Sequence, residues 1–284
     1  EEPAEIAEPL APVPATPRNG RTFGPRRDGA PEAKPGRKAG RGRGKKVVGL
    51  KIGASQIAAA VVSETGAGHE LVQIERRSID SGLVVDGEIR DAEALAQIVK
   101  AFFDEHKLPK RDVRIGLASN RIGVRTLEIA GIEDEERFDN AVRFKAHEVL
   151  PVAQHESVLD YRVLEERPNE AGEPSRRILL VVAPRDQVEP YTRLAHLAGI
   201  RLTGLDLEAL SLLRAFVEPQ PFAVRAIDDT ATVIVSIGHE STTLLVAGVG
   251  ACEFTRVFDW GGGTLQEAVA QELDVHSAEA ATIL

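Results

Sequence analysis

The chain carries an imprint of itself. A shift of 185 residues places Leu50-Lys51-Ile52-Gly53 on Val235-Ser236-Ile237-Gly238 and Ala58-Ala59-Ala60-Val61 on Thr243-Leu244-Leu245-Val246. Each copy reads as strand, Gly-containing turn, strand, turn, strand. VVGLKI (47–52), IAAAVVS (57–63) and ELVQIERRSI (70–79) make the first, and TVIVSIG (232–238), TTLLVAG (242–248) and CEFTRVF (252–258) the second. A duplicated strand unit separated by a long helical connection folds as two halves facing a cleft. Each half then offers a hairpin turn whose backbone N–H groups can cradle phosphate.

The connection alternates helical and strand periods, which makes the chain mixed α/β. Asp91–His106 has Leu95, Ile98, Val99, Phe102 and Phe103 at helical spacing, with Asp91 as N-cap and Pro109 beyond the end. DVRIGLA (112–118) is a strand apolar on both faces. Glu133–Val149 reads as a helix stopped by Pro151, followed by a strand pair at 158–166 and 176–183. A helix over Asp186–Ala198 ends at Gly199. IRLTGLDL is then a strand and Glu208–Phe216 a helix, and Pro219–Asp229 links to the second copy. The triplet Gly261–Gly263 reads as a tight strand-to-helix turn before a helix over Thr264–Leu273 rather than as a phosphate loop. Aromatic residues are only 4% of the chain, so the core rests on Val, Leu, Ile and Ala. The one cysteine, Cys252, excludes an internal disulfide and reads as a buried, inert thiol in a reducing compartment.

Residues 1–46 contain little that could be buried and read as a disordered tail, acidic and then basic. Glu1, Glu2, Glu5 and Glu8 fall in the first part. Residues 17–46 hold eleven Lys and Arg against Asp28 and Glu32. The basic part is either an arm for anionic lipid or nucleic acid or a solubilising leader, and no motif for specific nucleic-acid recognition accompanies it. No apolar run reaches the roughly 18 residues of a spanning helix, and no signal pattern opens the chain. A cytoplasmic protein is expected, brought to any membrane by a partner. The histidines fall at no ligand spacing, so no metal site is assigned, and Glu133–Arg137 reads as a solvated charge cluster.

Paired hairpins around a cleft resemble the phosphate loops of the actin, Hsp70 and sugar-kinase superfamily. Other segments narrow the resemblance. They are Phe144-Lys145-Ala146-His147-Glu148-Val149-Leu150-Pro151 with Leu159-Asp160-Tyr161-Arg162-Val163-Leu164, the run 179–216, Phe254-Thr255-Arg256, and Gly261–Gly263 before a helix. In that order they are similar to the PilM family of type IV pilus assembly proteins, over about Val47–Leu284. The resemblance implies an actin-like (ribonuclease H-like, duplicated) fold with a small inserted α+β subdomain. It places the first half at 47–130, the insertion and link at 131–216, and the start of an incomplete second half at 217–284. The family continues with another subdomain and an adenosine-holding loop, so the C-terminal part is expected to be truncated. The resemblance also implies a cytoplasmic scaffold under the inner membrane, working with other pilus assembly proteins. It would dock the cytoplasmic tail of a membrane-anchored PilN in a groove within residues 131–216.

An actin-fold ATPase needs an acid in each hairpin to orient the water shell of Mg²⁺, and often a lysine for phosphate charge. The family's first loop runs Asp-x-Gly-Ser with a lysine seven residues after the Asp. Here those two positions hold Lys51 and Ala58, and the acidic position of the second loop holds Ser236. Gly53, Ala54, Ser55, Gly238, Ser241 and Thr242 remain as candidate nucleotide contacts. Asp206 is the candidate catalytic residue, by its position in the link, or else the N-cap of Glu208–Phe216. A lysine ~5 Å from Mg²⁺ at an effective dielectric of ~20 is repelled by roughly 7 kcal/mol. ATP without metal fits these loops better than Mg-ATP, which favours a scaffold with a degraded nucleotide site. The alternative is an active actin-like ATPase that switches pilus or secretion machinery.

Overall fold

The computed structural model describes residues 44–66, 68–149, 156–217, 230–248 and 251–284. The tail over 1–43, Pro151 and the link at 219–229 lie outside the described residues. Strands β1 (Lys45–Ile52), β2 (Gln56–Thr65) and β3 (Gly68–Ser78) form an antiparallel meander. Val48, Leu50 and Ile52 turn inward from β1 while Gly49 and Lys51 face out, as a period of two requires. β1 begins two residues earlier than the expected start at Val47. Because β2 continues to Thr65, Lys45 and Lys46 find strand partners in Glu64 and Ser63.

A short hairpin, β4 (Val84–Val85) and β5 (Glu88–Ile89), leads into α1 (Ala92–Glu105). Asp91 caps α1, its carboxylate accepting the Ala94 N–H at 2.8 Å. The chain returns as β6 (Val113–Leu117), parallel to β1. It then leaves through β7 (Gly123–Ala130), α2 (Glu135–Val149), β8 (Ser157–Pro168) and β9 (Pro174–Pro184). These strands form a separate sheet in the order β7-β9-β8, and α2 buries Phe138, Val142 and Ala146 against Ile129, Ile178, Leu180 and Val182. The strand over Gly123–Ala130, a segment to which the sequence pattern assigns no element, thus pairs with the inserted sheet. Its fully inward residues Val124 and Ile129 are five apart, which breaks the alternation that would mark a strand.

After α3 (Arg185–Leu197), β10 (Leu202–Leu207) rejoins the first sheet parallel to β6, giving the order β3-β2-β1-β6-β10. α1 and α3 pack on one face, where Phe102, Phe103, Leu95, Leu194 and Tyr191 are buried with Val48, Leu50 and Ile115. α4 (Glu208–Phe216) follows without a loop. β11 (Thr232–Ile237), β12 (Thr242–Gly248) and β13 (Ala251–Phe258) then form the second meander, followed by α5 (Gly262–Leu273) and α6 (Ser277–Ile283). Leu213 of α4 is buried with Leu245, Ala247 and Cys252, so the linking helix is part of the second core.

The internal repeat holds at the level of register. Lys51 pairs with Ala58 in the first hairpin and Ser236 with Thr243 in the second. Adding 185 to either member of the first pair gives the second. The turns are closed by matching bonds, Gly53 N–H to Gln56 O at 3.0 Å and Gly238 N–H to Ser241 O at 2.8 Å.

Candidate functional site

The two hairpins approach one carboxylate, that of Glu208. β10 runs straight into α4, so Glu208, the first residue of the helix, lies at the carboxyl end of the parallel strands. Its Oε2 is 2.8 Å from Lys51 Nζ and its Oε1 accepts the Ser236 hydroxyl at 3.0 Å. The Glu208 side chain is 12% exposed and that of Lys51 51%. Lys51 and Ser236, repeat equivalents on separate sheets, therefore share one acid.

The other candidates are distributed around this bridge. Gly53, Ala54 and Ser55 form the turn of the first hairpin, where the Ser55 carbonyl accepts the Ile79 N–H at 3.0 Å. Ala58 sits beside Lys51 across the strand pair. Gly238 and Ser241 close the second turn, and the buried Thr242 hydroxyl donates to the Trp260 carbonyl at 2.7 Å. The Asp206 carboxylate engages Arg214 and accepts the Leu207 N–H at 2.8 Å. The N-cap of α4 is Leu207, with no side-chain cap bond. Asp206 thus faces its own helix, and the acid between the hairpins is Glu208, two residues on. Only a contact map could have singled out Glu208, because strand gives way to helix between the two acids.

The glycine triplet fits against the second turn. Gly262 N–H donates to Gly238 O and Gly263 N–H to His239 O, each at 2.8 Å. A Cβ on Gly261 would lie 2.4 Å from the His239 carbonyl oxygen, so only glycine permits this approach. Two further contacts link the halves. The Glu240 carboxylate accepts the Asp86 N–H at 2.9 Å, and the Asn120 amide donates to Asp259.

Beside Glu208 opens a cleft of about 790 Å³. Consecutive residues Asn120–Arg125 line one wall and Phe254–Asp259 the other. Of the first run, 123–125 belong to β7 and 120–122 to the loop before it, while 254–258 of the second belong to β13. β7 and β13 are edge strands among the described elements. Arg121, in the cleft wall, bridges Asp186 (2.8 Å) and Glu88 (2.5 Å), and hydrogen bonds to those two acids hold its guanidinium pKa above the ordinary value. Among the described residues no group of three or more His, Cys, Asp or Glu is placed to hold a metal ion, and no helix is long and apolar enough to cross a membrane.

Residues 49–283 match the family of type IV pilus assembly protein PilM. The chain belongs to the PilM family. Its fold matches a chain of the PilM–PilN type IV pilus biogenesis complex with a TM-score of 0.69 and 23% identity, over 84% of this chain and 68% of that one. More distant similarities are to the ethanolamine utilization protein EutJ from Carboxydothermus hydrogenoformans and to MreB5 of Spiroplasma citri bound to ADP. EutJ has TM-score 0.47 and 17% identity, over 84% of this chain and 61% of that one. MreB5 has TM-score 0.41 and 16% identity, over 81% and 56%. With the duplicated meanders, PilM membership makes this a mixed α/β, actin-like fold. The family segments quoted above also acquire positions: Phe254-Thr255-Arg256 line the cleft in β13, and the glycine triplet seats α5 on the second hairpin.

Proposed function

We propose that this chain is a scaffold of type IV pilus assembly that holds the extended cytoplasmic tail of a membrane-anchored, PilN-like partner. The observation that carries the reading is the cleft walled by the edges of β7 and β13. An edge strand can offer backbone N–H and C=O groups to an added strand, while pockets take alternate side chains. Val124, Phe254 and Phe258 supply apolar surface for those side chains. β7 precedes the expected 131–216 groove region but pairs into the inserted sheet, so a tail in the cleft would lie against the insertion, with β13 of the second meander as the other wall. The partner brings the protein to the inner membrane, and the basic stretch 17–46 adds contact with anionic lipid. Other pilus assembly proteins would bind surfaces away from the cleft.

The nucleotide site is degraded in this reading. An ammonium, a hydroxyl and one carboxylate already bonded to both do not fit a hydrated Mg²⁺, which takes oxygen ligands in near-octahedral array. The hairpin turns keep their glycine backbone, so a nucleotide without metal remains compatible with them. A Mg-ATP switch would need acids at positions 51 and 236.

The test is fluorescence anisotropy with a labelled peptide of the partner's cytoplasmic tail and a Phe258→Asp variant. Phe258 is 41% exposed at the end of β13, and a melting temperature near wild type checks that the variant keeps its fold. Micromolar binding that weakens about tenfold or more in the variant supports docking in this cleft. No binding, or equal binding to both proteins, rejects it.

A further inference from the structure

We infer that the two halves are held together by a clasp of the chain's own side chains centred on Glu208, and that this clasp sets the opening of the cleft without nucleotide or metal. The inference rests on the reading of Lys51 and Ser236 as ending the metal site, and it is independent of tail docking.

The two hairpins meet over one shared group, the Glu208 carboxylate. Hairpins that both carry acids share a cation. Here the charge is inverted: the hairpins contribute an ammonium from Lys51 and a hydroxyl from Ser236, and the shared group is the Glu208 carboxylate from the link. Each carboxylate oxygen serves one half, Oε2 with Lys51 at 2.8 Å and Oε1 with Ser236 at 3.0 Å. The carboxylate is nearly removed from water, so losing its cation leaves a desolvated charge.

Two contacts flank this centre. Glu240, in the second hairpin turn, accepts the Asp86 N–H at 2.9 Å. Asp86 and Gly87 both have positive φ, 53° and 74°, and a Cβ at Gly87 would lie 2.4 Å from the Ala118 carbonyl oxygen, so the shape of this turn is fixed against β6 and the loop after it. On the other flank Asn120 donates to Asp259. Among the described residues these three polar bridges connect the first half to the second meander, beside the apolar packing of Val124 and Leu213 on Leu245 and Ala247. Glu208, Asn120 and Asp259 also line the 790 Å³ cleft, so whatever enters it meets the clasp directly. An occupant that favours one clasp state over the other shifts the halves by that difference in affinity.

The experiment measures the distance between spin labels at Glu70→Cys on β3 and Glu272→Cys on α5, both exposed positions, in protein without partner. The native Cys252 is fully buried and stays unlabelled. The wild-type clasp should give one narrow distance distribution, unchanged by EDTA or by Mg-ATP. Lys51→Ala should raise the open population about tenfold, the effect of stripping the partner from a half-buried carboxylate. The swap Lys51→Glu with Glu208→Lys should restore the narrow distribution, which a loss of folding could not do. A distribution unaffected by Lys51→Ala, or one that narrows only with Mg-ATP, overturns the inference. Because no peptide is present, failure here is separate from failure of tail docking.

Discussion

Replacing Lys51 by Asp should convert the bridge into a repulsion that a divalent cation relieves. Lys51 Nζ lies 2.8 Å from Glu208 Oε2. At an effective dielectric of about 20, unit charges at that distance attract by about 6 kcal/mol before desolvation and screening. The Lys51 side chain is half exposed, so the net value of the pair is nearer 1 kcal/mol. Lys51→Asp removes that contribution and opposes two carboxylates at about 5 Å, a repulsion of about 3 kcal/mol that solvent reduces to roughly 1 kcal/mol. The combined loss of about 2 kcal/mol lowers the melting temperature by about 4–8 °C at the 2–4 °C per kcal/mol of a domain this size. Two carboxylates and the Ser236 hydroxyl then offer three oxygens to Mg²⁺, with water completing the shell. Thermal unfolding in EDTA and in about 10 mM Mg²⁺ should show the variant regaining most of its loss and the wild type unchanged. A variant that melts with the wild type in EDTA, or a wild type stabilised equally by Mg²⁺, refutes the assignment of Glu208 as the shared group.

Gly261→Ala should cost about 2 kcal/mol or more, because its Cβ would meet the backbone oxygens of His239 and Gly238 at 2.4 and 2.7 Å. Urea unfolding checks it, and a midpoint equal to wild type would contradict the close seating of α5. Burial pushes the Cys252 thiol up from 9.0 to about 12. The neutral thiol is the form the fold favours, so its contribution to stability is complete below about pH 9 and is lost as pH climbs toward 12. At pH 8 a thiol reagent should modify Cys252 only as fast as the protein unfolds, and rapid modification of native protein would place the thiol at the surface.

Much of the fold was legible because it rests on local periods. The apolar spacing of α1, the Asp91 cap and the alternation of β1 are each written in a dozen residues. The repeat went further: the residues it aligned, Lys51 with Ser236 and Ala58 with Thr243, hold equivalent register positions in the two hairpins. β7 escaped because its inward residues fall out of phase as the strand passes from the core that buries Val124 to the core that buries Ile129. The site was half legible. Lys51 and Ser236 stood out as substitutions in a recognisable pattern, but their common partner could not be chosen between Asp206 and Glu208 from spacing alone. Asp206 turns to Arg214, eight residues ahead on α4, and Glu208 turns to strands 157 residues behind and 28 ahead. Likewise, that β7 and β13 face each other across a cleft depends on three sheets meeting.

The most direct measurement is a calorimetric titration of the protein with ATP, in the presence and absence of Mg²⁺, with phosphate release followed in parallel. A scaffold that kept the fold and replaced the metal by Lys51 and Glu208 predicts weak binding that Mg²⁺ does not strengthen, and no phosphate release. Tight, Mg-dependent binding with turnover would contradict it and make the protein a nucleotide-switched assembly factor.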